Sequence, residues 1–484
     1  MKFDVNNIQG GPIPGRVRVR FAPSPTGSLH VGGARSYLFN YIYAKSTNGT
    51  MVLRIEDTDQ ERSTPEFEKM VINDLMALDL PPNEGPNEGG NYGPYRQSER
   101  EDIYKPIALL LLKTAHAYRC FCTEEELDRK AEAAKAKGVP PQYDGTCTNI
   151  SNEESEQRAG GGEAFSIRMK APRKDYTFTD RVRGEITFKD GMVGDFVILR
   201  SNGVPVYNYA VVVDDYLMRI SNVIRAEEHL PNTLRQLMIY EALGWQAPEF
   251  AHISLVLGLD RKKLSKRHGA TSVQDYLNEG YLKEALVNYL ALLGWSPPDM
   301  KEIRTVDEIA KDFHLEKLNK APAIFDPEKL QWMNGEYIRA MDLDVLMERV
   351  LPFVKKEEPW LKEALAAVRG GMRLLSDIGP ALDIFYPDTF KFEQEALDVM
   401  KESESKTVIQ TFKEELNSVS AIDANSFATI ENNLKQKTGA KGKKLFFPLR
   451  ASITGKLHGP ELKLVLPLIG KNEALRRADL ALKI

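Results

Sequence analysis

Arg16-Val17-Arg18-Val19-Arg20-Phe21-Ala22-Pro23-Ser24-Pro25-Thr26-Gly27-Ser28-Leu29-His30-Val31-Gly32-Gly33 is the stretch on which the fold class turns. From Arg16 to Ala22 polar and apolar side chains alternate, which is the period of a strand. Pro23, Pro25 and Gly27 stop that strand and force a tight loop. Gly32 and Gly33 then open a helix-forming stretch that runs through Ile42 with apolar residues at helical intervals. A strand, a glycine-containing loop and a helix N-terminus make an anion site, because unpaired backbone N–H groups and the helix dipole face a phosphate. The two glycines carry no Cβ, so the backbone can lie against a purine ring or a ribose. His30 can donate to a phosphate oxygen as charge builds there. Alone, His-Val-Gly-Gly reads as readily as a solvated histidine at a helix start, since short motifs match by chance.

A second segment changes that balance. Five of the seven residues from Arg261 to Arg267 are basic, Leu264 and Ser265 being the exceptions. Ammonium groups on flexible stems suit a loop that closes over a triphosphate, although a charge run by itself is usually a solvated face. Phe250 to Leu255 reads as a strand just upstream. The basic loop therefore follows a strand's carboxyl end, where α/β folds bind ligands.

The 484 residues are enough for several domains. An apolar content of 42% and a charged content of 28% are those of an ordinary soluble protein, so a cytoplasmic enzyme is expected. The longest aliphatic run, Ile107 to Leu112, is too short to span a bilayer, and no membrane partner is expected. Three cysteines in this length argue for a reducing compartment rather than a disulfide framework. A net charge of −4 does not advertise nucleic-acid binding, but local patches matter more than totals. A P-loop would need Gly-x4-Gly-Lys-Ser/Thr, and Gly10 to Gly15 continues instead as Arg16-Val17. A nicotinamide fingerprint fails too, because the loop after the first strand reads Pro-Ser-Pro-Thr-Gly.

Along the chain, residues 1 to about 94 read as strand, helix, strand, helix, with Thr50–Ile55 the second strand and Thr64-Pro65-Glu66 the start of the next helix. A Gly/Pro/Asn-rich loop follows from Pro81 to Pro94. Residues 95–206 read as an insertion: a helix through Leu109–Leu112, a charged helix from Glu124 to Lys137, and strand-like stretches such as Tyr176–Phe178. The parallel pattern resumes with strands at Val206–Val213 and Asn222–Arg225 and a helix from Asn232 to Leu243. From about 340 onward no strand is expected. The fold class is thus an α/β Rossmann-type domain split by an α+β insertion and followed by an all-helical C-terminal region.

Further ordered blocks carry a family resemblance: Arg54-Ile55-Glu56-Asp57-Thr58-Asp59, Gly93 to Arg100, Val213-Asp214-Asp215, Val223 to His229, Trp332-Met333-Asn334-Gly335, Pro448 to Ala451 and Leu468 to Lys471. With the two segments above, the chain resembles bacterial glutamyl-tRNA synthetases over nearly its whole length. One departure is Gly33, where the general class I motif ends in a second histidine; His30 is left as the principal phosphate-facing imidazole.

The resemblance implies a two-step reaction. L-glutamate is activated with ATP to glutamyl-adenylate and diphosphate, and the acyl group then passes to the 3′ end of tRNA(Glu). It implies glutamate binding by Arg20, Ala22, Ser24, Glu56, Tyr207 and Arg225, with the two arginines on the substrate carboxylates. ATP would meet His30, Gly32, Glu228, Val256, Lys263, Ser265, Lys266 and Arg267, of which His30, Lys263 and Lys266 are the expected catalytic residues. Magnesium is expected with ATP, held by phosphate oxygens and water rather than by a carboxylate cage. Each assignment has a plainer alternative: Glu56, Asp57 and Asp59 could cap the following helix, and Arg225 could form a strand-end salt bridge.

By the same resemblance, residues 1–94 and 207–271 form the catalytic domain, 95–206 an acceptor-stem-binding insertion, 272–340 a stem-contact helical domain and 341–484 the anticodon-binding region, in an enzyme expected to be a monomer. A basic cluster there, Lys435, Lys437, Lys441, Lys443, Lys444 and Arg450 beside Phe446-Phe447, is either a tRNA phosphate contact or a solvated loop. The related enzyme that glutamylates a tRNA anticodon base resembles only the N-terminal part. At Gly370 strictly discriminating relatives have an arginine that reads the anticodon, so charging of tRNA(Gln) as well is an open expectation. Zinc is open too. Cys120, Cys122 and Cys147 are grouped as thiolate ligands are, but Asn149 stands where relatives have histidine, which leaves Tyr143 as the candidate fourth ligand. The alternative is three thiols left from a lost site.

Overall fold

The strand expected from Arg16 to Ala22 forms β1 (Arg18–Phe21), and the helix after the proline loop is α1 (Val31–Ser46). This computed structural model describes residues 4, 5, 7–59, 61–139, 141–264 and 272–484. They divide into two units, Met1–Asp275 with Val287–Asp326 and Tyr276–Leu286 with Pro327–Ile484.

In the first unit the chain continues through β2 (Thr50–Leu53), α2 (Pro65–Ala77), α3 (Glu101–Lys113), β3 (Ala117–Cys120), α4 (Glu124–Ala136) and α5 (Asn152–Gly160). Then come β4 (Ser166–Met169), β5 (Tyr176–Asp180), β6 (Gly184–Phe188), β7 (Phe196–Leu199) and α6 (Tyr207–Leu217). β8 (Asn222–Ala226), α7 (Leu230–Ala242), β9 (Glu249–Ile253), β10 (Val256–Leu257) and β11 (Ala323–Ile324) complete it as far as the site requires. A six-stranded sheet has the order β2-β1-β8-β9-β5-β6, parallel except for the antiparallel edge strand β6. Thr64 starts α2 as expected: its side chain accepts from the Phe67 N–H and Pro65 occupies the first turn, where a missing N–H costs nothing. Thr123 and Glu126 close a capping box at the start of α4.

One expectation is overturned. Val206–Val213 is not a strand; it lies almost wholly in helix α6. Tyr209 through Val213 are all buried, followed by buried Asp214 and Asp215, so the helix has no wet face to interrupt its apolar run. A short helix buried all round and a central strand look alike in sequence. Tyr176–Phe178 forms a strand as expected, within β5 of the six-stranded sheet. β5 pairs with β9 through Asp180 and Phe250, so these residues lie in the same sheet as β1 and β8, although the sequence places them inside the 95–206 insertion. A separate three-stranded sheet, β3-β4-β7, is what stands apart.

The second unit contains helices and no strand among its described residues. Its long C-terminal helices, Ser403–Ser418, Ala424–Thr438, Lys443–Thr454 and Leu462–Leu482, bury Phe412, Leu416, Leu434, Leu449 and Val465 in one core. Gly455 ends the third of these with φ +75; a Cβ there would come within 2.0 Å of the Lys391 carbonyl oxygen, so only glycine fits. Residues 272–275 and 287–326 belong to the first unit and 276–286 and 327–340 to the second. In the basic cluster, Lys435, Lys437 and Lys444 are paired with Glu431, Glu415 and Glu404.

Candidate active site

β1 and β8 are adjacent parallel strands, and their carboxyl ends open on a cleft of about 450 Å³ toward which α1 directs its N-terminus. Such a crevice beside the point where strand order reverses is where open α/β sheets take ligands. Every expected glutamate residue (Arg20, Ala22, Ser24, Glu56, Tyr207 and Arg225) lines it, as do His30, Gly32, Glu228, Val256 and Lys263 from the ATP set. Ser265, Lys266 and Arg267 lie outside the described residues.

The floor of the cleft is a buried charge network. Arg54 has no exposed surface; its Nη1 donates to Asp215 at 2.6 Å and its Nη2 to Glu56 at 3.0 Å. Burial would strip its proton, but Asp215, Glu56 and Asp214 outweigh that and hold it well above the ordinary arginine value. Arg20 Nε donates to the same Asp215 at 3.2 Å. Burial raises Asp215, yet the two guanidiniums win and hold it below its ordinary value. Glu56 goes the other way, pushed up by burial against the pull of Arg54 and Arg20. These bonds dispose of the helix-cap alternative for Glu56. Asp57 does not cap α2 either: it accepts from the Ser98 N–H at 2.9 Å and the Ser98 hydroxyl at 2.6 Å.

Arg225 is placed differently. Its Nε donates to His252 Nε2 at 3.2 Å, and its Nη2 to the Thr233 hydroxyl at 2.7 Å and Gln236 Oε1 at 2.9 Å. All three acceptors are neutral groups, so the strand-end salt bridge does not form among the described residues. The remaining nitrogen, Nη1, is buried with no hydrogen-bond partner among the described residues. An unmatched buried guanidinium nitrogen is costly, and a carboxylate entering the cleft is the group that would satisfy it. Tyr207 stands nearby with its hydroxyl 3.4 Å from His229 Nδ1. Burial, then the Arg225 charge, lower His229 to about 4, so it is neutral at pH 7.

At the α1 end, His30 is the helix N-cap: its Nδ1 accepts the Gly32 N–H at 3.1 Å. That acceptor role puts the ring proton on Nε2, which is buried and without a hydrogen-bond partner among the described residues. Burial and the Lys263 ammonium hold the imidazole below its ordinary value against a pull from the Leu264 carbonyl. His30 is therefore a neutral donor aimed at whatever fills the cleft. A Cβ on Gly33 would lie 3.0 Å from Leu29 Cδ1, so this turn is already tight without the second histidine of the class I motif. Lys263 Nζ meets Glu228 at 2.7 Å at the solvent-facing rim.

Several residues of the site carry no signal that singles them out in the sequence. Arg35 on α1 is buried and ties that helix to the Ser254 and Leu293 carbonyls at 2.6 and 2.5 Å. Asp215 and His229 stand in blocks that mark the family resemblance, while nothing in their local pattern gives them a role. His252, Thr233 and Gln236 read as ordinary strand and helix residues.

Away from the cleft, Cys120, Cys122 and Cys147 converge, all sulfurs within 4.8 Å of one another and the Cys122–Cys147 pair at 3.6 Å. The Tyr143 hydroxyl lies 3.4 Å from Cys120 and 3.3 Å from Cys122, and the Arg168 guanidinium carbon is 3.9 Å from the Tyr143 ring centre. Zn–S bonds of about 2.3 Å in a tetrahedron require sulfurs roughly 3.8 Å apart and a phenolic oxygen at about 3.5 Å. The Cys122–Cys147 separation and the distances from the Tyr143 hydroxyl to Cys120 and Cys122 suit that cage. Asn149, two residues beyond Cys147, is exposed.

The family described as tRNA synthetases class I (E and Q), catalytic domain, matches residues 16–332, and an anticodon binding domain matches residues 345–482. A glutamate–tRNA ligase of Desulforamulus reducens is 46% identical over 480 residues, 96% of this chain and 100% of the relative. Glutamate–tRNA ligase 1 of Caldicellulosiruptor saccharolyticus is 44% identical over 476 residues, covering 96% and 98%. A crystal structure of a glutamate tRNA ligase from Elizabethkingia meningosepticum in complex with its amino acid superposes with a TM-score of 0.88 at 34% identity, over 97% of this chain and 99% of that one.

Proposed function

The chain belongs to the glutamate–tRNA ligases within the class I tRNA synthetases, and for the ligase reaction of that family we propose a division of labour inside the cleft. The α-carboxylate of L-glutamate attacks the α-phosphate of ATP; a P–O bond forms as the bond to diphosphate breaks, and the acyl group then moves to the terminal ribose of tRNA. There is little covalent work for side chains to do, so positioning and charge stabilisation carry the catalysis. Arg225 takes the side-chain carboxylate of glutamate, with Tyr207 beside it. Arg20 faces the α-carboxylate, and Glu56 receives the α-ammonium with Ala22 and Ser24 beside it. His30 donates from Nε2 to a phosphate oxygen, with Gly32, Val256, Glu228 and Lys263 around the nucleotide. Magnesium would travel with the phosphates. The observation that carries this reading is that Arg225 and His30 line one cleft, each with a buried nitrogen, Nη1 and Nε2, that has no hydrogen-bond partner among the described residues.

The direct test is charging purified tRNA(Glu) and tRNA(Gln) with labelled glutamate. Charging of tRNA(Glu) is expected, and its absence would overturn the reading. Charging of tRNA(Gln) as well is a second reading. It is favoured by the open space at Gly370, where a side chain would meet nothing within 4 Å and where discriminating relatives place an arginine. The enzyme works as a monomer in the cytoplasm on this reading, and none of its described helices is long and apolar enough to cross a membrane.

Zinc would be held by Cys120, Cys122, Cys147 and Tyr143, where it would supply folding energy to the β3-β4-β7 region rather than chemistry to the cleft. The sulfur and hydroxyl separations support it. Burial and the neighbouring sulfurs push the Cys122 thiol up to about 11 in the absence of metal, so binding displaces protons. Elemental analysis of protein purified without chelator should give one zinc per chain, with loss of the metal and a lower melting temperature in Cys120→Ser; a zinc-free protein would end the assignment.

A further inference from the structure

Arg225 is surrounded by groups that position its charge without cancelling it. We propose that Gln236, Thr233 and His252 are specificity-determining positioning residues: by offering Arg225 only neutral acceptors, they keep its charge available for a side-chain carboxylate and set the preference for glutamate over glutamine. The inference rests on the reading that Arg225 binds that carboxylate.

The hydrogen-bond pattern fixes the protonation of the cradle. An arginine Nε–H can only donate, so His252 Nε2, 3.2 Å away, must be a bare acceptor and the ring proton must sit on Nδ1. There Asp180 takes it at 2.6 Å. Asp180 is occupied in turn by the Val182, Arg183 and His252 backbone N–H groups at 2.9, 2.9 and 3.0 Å. Its charge reaches Arg225 only across the imidazole. Burial holds His252 below its ordinary value despite Asp180, which keeps the ring neutral. On the other side, Gln236 turns its carbonyl to Arg225 and its amide to Asn208 Oδ1 at 3.1 Å, so its orientation is set from both ends. The nearby carboxylates Asp215 and Glu56 are engaged by Arg20 and Arg54. Three directed bonds leave Nη1, on a side chain that lines the cleft, buried without a hydrogen-bond partner, and Arg225 forms no ion pair among the described residues. A bound carboxamide would leave that buried charge unpaired, which is the condition for strong discrimination.

The test exchanges shape against charge. Gln236→Glu is isosteric and brings a carboxylate to Arg225, whereas Gln236→Met is of similar size and stays neutral. Thr233→Asp repeats the charge change from a second position. Aminoacylation of tRNA(Glu) by the full chain is measured with L-glutamate and with L-glutamine, and thermal unfolding is followed alongside. For Gln236→Glu the KM for glutamate should rise by about 30-fold or more with the KM for ATP little changed, and the glutamate-to-glutamine ratio of kcat/KM should fall at least about tenfold. Thr233→Asp should move both quantities in the same direction. Gln236→Met should keep the ratio even if glutamate binds more weakly. Equal effects of Gln236→Glu and Gln236→Met on the ratio would overturn the proposal and leave Gln236 a packing residue. An Arg225→Ala variant separates the levels. If it raises the KM for glutamate while Gln236→Glu and Thr233→Asp do not, only this inference fails. If Arg225→Ala leaves that KM unchanged, the underlying assignment fails and this inference with it.

Discussion

On the floor of the cleft Arg54 is fully buried and shared between Asp215, Glu56 and Asp214, whereas at the rim Lys263 meets Glu228 alone, with their side chains 66% and 44% exposed. The same charge types are in two different physical situations. Buried charges are costly to leave unmatched, so the carboxylates and guanidiniums of the floor bond to one another, and Arg225 Nη1, without a hydrogen-bond partner among the described residues, marks where a carboxylate can bind. Exposed charges are screened and exchange partners at little cost, so the rim pair can give way when a triphosphate arrives. The floor therefore specifies the amino acid, and the rim adapts to the nucleotide.

The contrast can be broken by experiment, most strongly at the floor. Arg54→Met removes a cation paired with buried Asp215 and Glu56, and the unfolding free energy should fall by about 3–5 kcal/mol, read from urea unfolding. A loss below about 1 kcal/mol would mean that the floor is not a coupled set. His30→Ala should lower the rate of adenylate formation by roughly 10²-fold, as expected for one donor to a developing phosphate charge, with glutamate binding retained. Pyrophosphate exchange checks it, and an unchanged rate would return His30 to a helix cap. Lys263→Ala should matter least. Stability should move by no more than about 1 kcal/mol, the size of an exposed ion pair, while the KM for ATP rises severalfold. A larger stability loss would show that rim and floor are not distinct.

Much of this arrangement is legible in the sequence, and the remainder fails for identifiable reasons. Alternation from Arg16 to Ala22 places β1 correctly but suggests one wet face. Arg18 and Arg20 are in fact buried, on Glu84 and Asp215, partners 66 and 195 residues away along the chain. No local pattern contains that pairing. The valine run in α6 hides its period because every side of the helix is covered. β5 looks like part of an insertion because its partner, β9, comes some 70 residues later, and a strand has no signature of the sheet it joins. Cys-x-Cys with a later cysteine is readable because ligand chemistry restricts residue type as well as spacing. His252, Thr233 and Gln236 are silent for the opposite reason: a neutral acceptor behind an arginine can be almost any polar residue, and only their convergence on Arg225 identifies them.

The central claim is that Arg225 holds an unpaired charge for the side-chain carboxylate of glutamate. Steady-state kinetics of Arg225→Ala test it most directly, with the Michaelis constants for glutamate and ATP measured on the same preparation. The account predicts a rise of about 10²-fold or more for glutamate, the scale of a buried charge pair lost, and little change for ATP. Equal rises in both constants, or no change in either, would contradict it.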